Sequence, residues 1–218
     1  MRTRLVLLSV LVFLAFSAAA FADVSGFSQS LATPKGLMAL PAVPLDPAPG
    51  VVFGTVPIHY NLTRWNADTQ SWVTYNKFSP GLFGNMLIGE GYWMKTGSSG
   101  LGVDYQGLTD TDTMDIWISL PKAGWNLIGN PFSFDYTWAN AKVTDGNETV
   151  SLATARAAPR QWLVTKMNWW NEATQGWATV GIPADIFYTT AVLHPWHGYY
   201  LKTNPGHDKL ALILESPL

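Results

Sequence analysis

The chain has 218 residues, eleven tryptophans, no cysteine and a formal net charge of −2, and only 13% of its residues are charged. This low charge, spread without blocks, excludes a solvated disordered protein and argues against nucleic acid or an anionic membrane as a partner. Because no disulfide can support the fold, a hydrophobic core has to stabilise it.

The N-terminal segment has the three parts of a secretory signal peptide. Arg2 and Arg4 precede an apolar run over residues 5–16, and small residues follow up to Ala22. The run is too short to span a bilayer, which takes about 20 apolar residues, and a buried N-terminal helix would leave the arginines without a role. We therefore expect cleavage after Ala22 and a secreted or cell-surface location. Removing 22 of the 218 residues, two of them arginines, leaves 196 residues with a charge of −4.

The rest of the chain contains an internal repeat. The segment "RWNADTQSWVT" at 64–74 shares six of eleven residues with "WWNEATQGWAT" at 169–179, and "GYWMKT" at 91–96 matches "GYYLKT" at 198–203. A weaker match joins "KGLMALP" at 35–41 to "AGWNLIGNP" at 123–131. The pattern predicts an N-terminal extension (23–34), repeat 1 (35–108), a linker (109–116) and repeat 2 (117–218), with an insertion at about 143–160 that we expect to be a surface excursion.

Each repeated block favours β structure. Trp65 and Trp72 can pair across a hairpin if Asn66 faces Ser71 and residues 67–70 form the loop. Asp, Asn and Thr suit such a loop because their side chains bond to the local backbone. We therefore predict an all-β fold, with two tandem β-rich repeats that form a β-sandwich or a small barrel-like pair.

Taken together, "GWNLIGNPF", the W-x-x-x-T-x-x-W hairpin and the "GYW" strand resemble the Trp-rich repeated β-module of secreted and cell-surface bacterial proteins. The resemblance extends over nearly the whole mature chain. Repeat 1 departs from it, since "KGLMALP" lacks the Trp-Asn-Leu opening. The resemblance implies a small all-β fold and a surface location, and it implies no active site.

Two groups of residues are weak candidates for metal ligands. "HPWH" places His194 and His197 at a spacing that metal sites use, and "DTDTMD" places Asp110, Asp112 and Asp115 close together. Repeat 1 has no matching histidine pair, and the aspartates lack the glycine and distal glutamate of a calcium loop. A plain loop and a solvated linker are the favoured interpretations, so we predict no metal site and no cofactor.

Catalysis has a single candidate, Glu90, which lies between two glycines before the "GYW" strand. Glycoside hydrolysis needs a second carboxylate at about 5–10 Å, and His197 occupies the position equivalent to Glu90 in repeat 2. We predict that the protein is not an enzyme and keep a small glycan hydrolase as an alternative.

Trp169 and Trp196 are the predicted candidates for an exposed aromatic platform that binds a ligand. Repeat 1 has Arg64 in place of Trp169 and Gly89 in place of Trp196, so neither tryptophan is needed to build the repeat. Burial of either residue against the insertion or against repeat 1 is the open alternative.

The main functional prediction is a non-enzymatic secreted or cell-surface structural or interaction protein. It would self-assemble through sheet edges, with copies of itself or other surface proteins as partners and no membrane contact after signal cleavage. The alternative is a carbohydrate-binding module that holds polysaccharide on exposed tryptophans.

Overall fold

The computed structural model describes residues 23–31, 34–97 and 101–217, so the predicted signal peptide lies outside the described residues. The strands before residue 110 are β1 (Val24–Ser30), β2 (Lys35–Ala39), β3 (Leu62–Asn66), β4 (Ser71–Thr74), β5 (Gly91–Lys95) and β6 (Gly102–Leu108). Those that follow are β7 (Ile116–Leu120), β8 (Gly124–Gly129), β9 (Tyr136–Thr137), β10 (Lys142–Thr144), β11 (Thr149–Ser151), β12 (Leu163–Asn171), β13 (Gly176–Val180), β14 (Val192–Leu193), β15 (Gly198–Thr203) and β16 (Leu210–Leu214). The helices are short: α1 (Pro49–Val52), α2 (Leu152–Arg156) and 3-10 turns at Pro80–Leu82, Thr109–Thr113 and Trp138–Asn140.

The predicted all-β fold is confirmed, and the strands form antiparallel sheets with no closed barrel in the described ranges. Each repeat contributes one four-stranded sheet of the same design. The order is β2-β5-β3-β4 in repeat 1 and β8-β15-β12-β13 in repeat 2. Strands at the same place in the two orders are those whose sequences belong to the same repeated block.

The repeated tryptophans pair across hairpins as predicted. Trp65 lies opposite Trp72, and Trp170 lies opposite Trp177. In the first loop the Asn66 side chain accepts hydrogen bonds from the backbone N–H groups of residues 68 and 69. The loop ends on Gln70, whose φ of 51° is left-handed and whose side chain donates back to the carbonyl of residue 67. In the second loop Asn171 accepts from the N–H of residue 174 and Gln175 donates to the carbonyl of residue 172, which explains why Asn, Thr and Gln recur together.

The N-terminal segment is not separate from repeat 1. β1 pairs with β6 over seven residues, in the way that β7 pairs with β16 in repeat 2. The insertion of repeat 2 also contributes to the fold. β10 adds to β16, and α2 buries Leu152 and Ala155 in the core, while residues 145–148 between β10 and β11 are exposed.

Each repeat has its own hydrophobic core, and each core receives a side chain from the other repeat. Trp196 of repeat 2 packs against the core of repeat 1, and Ile88 of repeat 1 packs against that of repeat 2. The two four-stranded sheets meet through the faces that point away from these cores, where Leu37, Leu127 and Trp170 form a third buried cluster.

Backbone contacts between the sheets are reciprocal. Met38 bridges to His197, and Glu90 bridges to Ile128, which are equivalent pairs in the two repeats. Small residues permit this approach, because a Cβ on Gly129 would overlap the side chain of Ala39. The two repeats therefore pack as a pair related by an approximate two-fold axis.

Candidate functional site

An open groove lies over the faces where the two sheets meet, and we call it the aromatic groove. Its volume is about 560 Å³. Three of its tryptophans stay substantially exposed: Trp72 at 44%, Trp125 at 40% and Trp177 at 55%. The full lining consists of Trp65, Trp72, Trp125, Asn168, Trp177 and Tyr200.

Strand alternation places these rings on one face. In β12, Met167 and Trp169 point into the core of repeat 2, so Asn168 and Trp170 point to the opposite face. The hairpin pairing then puts Trp177 beside Trp170, with ring centroids 5.3 Å apart. The same rule in repeat 1 puts Trp72 beside Trp65, and both sheets present aromatic rings to a common layer.

Contacts within this layer join the two repeats. Trp93 of repeat 1 stacks on Trp177 of repeat 2 at 6.2 Å between ring centroids, and Trp72 meets Tyr200 edge-on at 6.3 Å. Such offset and edge-on pairs are the arrangements that aromatic quadrupoles favour. Each exposed ring is consequently packed against at least one other aromatic ring.

One wall of the groove is fixed by hydrogen bonds from repeat 1. The Trp65 indole N–H donates to the carbonyl of Trp125 at 2.7 Å. The Gln70 side chain accepts from the N–H of Trp125 at 2.9 Å and donates to its carbonyl at 3.0 Å. Trp125 is therefore held at its backbone while its ring remains exposed.

Polar groups in the groove are few. Asn168 brings an amide, and Tyr200 brings a hydroxyl whose pKa burial raises to about 12. That hydroxyl stays neutral at physiological pH and can both donate and accept a hydrogen bond. The Lys202 ammonium lies 5.6 Å from the centroid of the Trp125 ring. An apolar surface with a few convergent polar groups is the usual composition of a small-molecule or glycan site.

Trp169 does not form an exposed platform, which corrects the prediction from sequence. Only 8% of its surface is exposed, and it packs in the core of repeat 2 against Tyr199. Its ring also meets His194 and His197, at 5.8 and 5.2 Å between centroids. The reason is its position in β12, since the face opposite the groove is the core face.

Trp196 is also not a free platform. It is half-buried and packs edge-on against Tyr105 in repeat 1, with 5.9 Å between ring centroids. Its φ of 65° matches the φ of 75° at the equivalent Gly89. A side chain at Gly89 would overlap Ile118, which explains the glycine in repeat 1. Trp196 therefore contributes to the contact between repeats.

Among the histidines and aspartates singled out in the sequence, His194, Asp112 and Asp115 have structural partners, whereas one buried side-chain oxygen of Asp110 has none among the described residues. His194 bonds to Asp135 at 2.9 Å, and Asp112 accepts hydrogen bonds from the backbone and side chain of Ser133. Asp115 accepts from the N–H of Ser216 at 3.0 Å. In the described part of the chain, no group of three or more His, Cys, Asp or Glu side chains is arranged to hold a metal ion.

His197 and Glu172 lie side by side in the lining of a small cavity between the repeats. The His197 Nε2 atom lies 3.8 Å from a Glu172 carboxylate oxygen, while its Nδ1 atom lies 2.8 Å from the carbonyl of Pro195. Burial lowers the pKa of His197 and raises the pKa of Glu172 to about 6. The cavity measures about 20 Å³, which is space for one water molecule and not for a substrate.

Glu90, the candidate catalytic acid, is bound on both oxygens. Arg64 donates to each of them at 2.7 Å, and the Tyr92 hydroxyl donates to one at 3.0 Å. Burial raises the pKa of Glu90, and the Arg64 guanidinium opposes that shift. These contacts are those of a fixed structural carboxylate.

Sequence reasoning missed the aromatic groove because it assigned the repeated tryptophans to the hairpins alone. The signal that could have revealed the groove was the position of these tryptophans in the alternation of side chains along each strand. Trp65 alternates with Arg64 and Trp170 alternates with Trp169, so each pair places one residue on the core face and one on the opposite face. Strand pairing then predicts an aromatic second face in both repeats.

Comparisons with protein-family models, curated sequences and solved structures return no significant match. Of the helices in the described ranges, none has the length and apolar character needed to cross a bilayer. The function therefore has to be inferred from the geometry of the site.

Proposed function

We propose that this protein is a non-enzymatic, secreted or cell-surface glycan-binding protein, and that the aromatic groove is its binding site. The observation that carries the proposal is the set of three tryptophans, each at least 40% exposed, that border one groove. Exposed apolar patches of this kind mark interaction sites. The flat C–H faces of sugar rings suit indole surfaces, and the hydroxyls of a sugar suit Asn168 and Tyr200 at the same place.

The test is a pull-down of the purified mature protein with insoluble cellulose, xylan and chitin. Wild type should bind at least one polymer, and Trp177→Ala or Trp72→Ala should lose most of that binding because each removes a stacking surface. Trp117→Ala is the matched control, since Trp117 is 61% exposed on β7 but does not line the groove. Failure of wild type to bind all three polymers, or equal loss in Trp117→Ala, would refute the proposal.

Self-association through a sheet edge is a second candidate, and β1 supports it. This strand is uncharged, and β6 is its single partner strand within the described residues, so its outer edge is available for pairing. Light scattering after size-exclusion chromatography should detect oligomers of wild type at high concentration. Ser28→Lys should reduce them, because an edge lysine opposes strand addition and Ser28 lies opposite Asp104. A wild type that stays monomeric would rule out this assembly.

A further inference from the structure

A second cavity, which we call the polar cleft, opens beside the aromatic groove. Its volume is about 380 Å³, enough for a sugar residue, and Trp65 lines both cavities. In contrast to the groove, its lining is rich in groups that form directional hydrogen bonds. These groups belong to Arg64, Asn66, Asp68, Glu90, Ser119 and Asn126.

The charged groups of the polar cleft are held in place before any ligand binds. Arg64 and Glu90 share two hydrogen bonds of 2.7 Å, and Arg64 also donates to the carbonyl of Phe83 at 2.9 Å. Their side chains nevertheless remain 20% and 29% exposed. A ligand therefore meets a rigid, polar and internally neutralised pair, and it loses little affinity to ordering these side chains.

Asn126 is a buried polar residue in the wall of the polar cleft. It lines the polar cleft and is only 2% exposed, yet its side-chain oxygen has no hydrogen-bond partner in the part of the chain that the structure describes. Its amide nitrogen donates to Thr203 at 3.3 Å, which leaves the oxygen as the unsatisfied end. Buried polar groups in native proteins are nearly always satisfied, so this oxygen is an exception in the wall of the polar cleft.

The equivalent place in the other half of the molecule is closed. There, Glu172 stands in the position of Ala67, and Trp196 stands in the position of Gly89. Those larger side chains line a cavity of about 20 Å³, compared with about 380 Å³ for the polar cleft. Larger side chains can therefore fill this position without disrupting the fold. Of the two equivalent places, the one in repeat 1 is open.

We infer that the polar cleft is a second subsite for the same glycan chain and that it takes a neutral, hydroxyl-rich sugar residue. This inference rests on the proposed function of the aromatic groove. Vicinal hydroxyls suit the paired groups of Arg64 and Glu90, whose side chains are partly exposed in the cleft. Arg64 is the one cationic side chain in the described lining, and the carboxylate of Glu90 neutralises its charge. Asp68 then adds a negative charge. The cleft therefore disfavours acidic sugars.

The decisive variant is Ala67→Gln, which fills the polar cleft and leaves Arg64, Glu90 and the groove tryptophans unchanged. The backbone tolerates a long side chain here, because Glu172 occupies the equivalent position of the matching loop. Glu172→Ala is the matched control, since it empties the small cavity on the other side. Ser119→Gln fills the cleft from β7 and serves as the second variant.

Affinities would be measured by calorimetry with tetra- and hexasaccharides of β-1,4-linked glucose, xylose and N-acetylglucosamine. Ala67→Gln and Ser119→Gln should weaken hexasaccharide binding about tenfold and leave tetrasaccharide binding unchanged, because the shorter ligand fits within the groove. Glu172→Ala should bind both ligands like wild type. Hexagalacturonic acid should bind wild type more weakly than the neutral hexasaccharides.

The results separate this inference from the function on which it rests. Binding by wild type that is lost in Trp177→Ala but unaffected in both cleft variants would refute the second subsite and keep the groove. Equal weakening of both ligand lengths would also refute it, since the groove itself would then be disturbed. Absence of binding by wild type would overturn both proposals.

Discussion

Gln70 of repeat 1 binds both backbone polar groups of Trp125 in repeat 2 through its side-chain amide. The two hydrogen bonds measure 2.9 and 3.0 Å, and they satisfy the outer edge of β8 as a neighbouring strand would. A hairpin loop of one repeat thereby completes the sheet edge of the other. The equivalent Gln175 has no such role, because its buried side-chain oxygen lacks a partner in the described structure.

The first prediction compares Gln70→Leu with Gln175→Leu. Gln70→Leu should lower the free energy of unfolding by about 1–3 kcal/mol, because it leaves the N–H of Trp125 without its acceptor. Gln175→Leu should cost less than about 1 kcal/mol, since it also removes a buried unpaired oxygen. Both residues have a left-handed φ, so the backbone strain of a leucine at that position is the same in the two variants. Urea unfolding of the two variants measures the difference, and equal losses would contradict this account.

The second prediction concerns the place where the sheets cross. Gly129→Ala should destabilise the protein by several kcal/mol, because the new methyl group would overlap Ala39 and the carbonyl of Glu90. Gly81→Ala is the control, since a Cβ there meets no atom within 4 Å. Thermal melts of the two variants should differ clearly. Similar melting temperatures would mean that the repeats are not packed as closely as the structure has them.

The third prediction follows from Glu172. Its pKa is raised from 4.5 to about 6, so the folded state holds the proton more tightly than the unfolded state does. The stability due to this proton is fully present below about pH 4.5 and is lost as the pH rises through about 6.

The variant Glu172→Gln isolates this effect, because it removes the titration and keeps the size of the side chain. It should be more stable than wild type by up to about 2 kcal/mol at about pH 8 and no more stable at about pH 4. Urea unfolding at both pH values gives the difference. Since His197 has a lowered pKa and acts in the opposite sense, the comparison has to be between variant and wild type. A pH-independent difference would exclude Glu172 as the source.

The fourth prediction separates a core tryptophan from a groove tryptophan. Trp169→Ala should lower the free energy of unfolding by about 3–5 kcal/mol, because it opens a cavity in the core of repeat 2. Trp177→Ala should cost distinctly less, since more than half of that side chain is already exposed. Denaturant unfolding compares the two, and a stability loss for Trp177→Ala as large as that of Trp169→Ala would contradict this division.

The sequence predicted those features that depend on neighbours along the chain. The hairpin pairs Trp65/Trp72 and Trp170/Trp177 follow from a turn motif and from strand periodicity, and both are confirmed. The all-β class follows from the same signals. These interactions lie within a few residues, so a local pattern is sufficient to specify them.

The features that it did not predict depend on residues far apart. Trp169 is buried because His197 and Tyr199 come to lie on its face of the sheet. Trp125 borders the groove because Gln70, 55 positions earlier, binds its backbone. The burial of Trp169 requires strands distant in the sequence to pair within repeat 2, and the position of Trp125 depends on how the two repeats pack.

The approximate two-fold relation between the repeats has a consequence for specialisation. In a true homodimer, every substitution at the interface appears on both sides of the axis. Here both halves belong to one chain, so the two sides have been free to diverge. Lys35 pairs with Lys95 as Trp125 pairs with the equivalent Lys202, so the two residues hold equivalent places in their sheets. The Lys35 ammonium lies 4.3 Å from the centroid of the Trp170 ring. One side thus presents an exposed indole, while the equivalent position on the other side carries a lysine whose ammonium lies over the ring of Trp170. A symmetric homodimer could not combine these two surfaces.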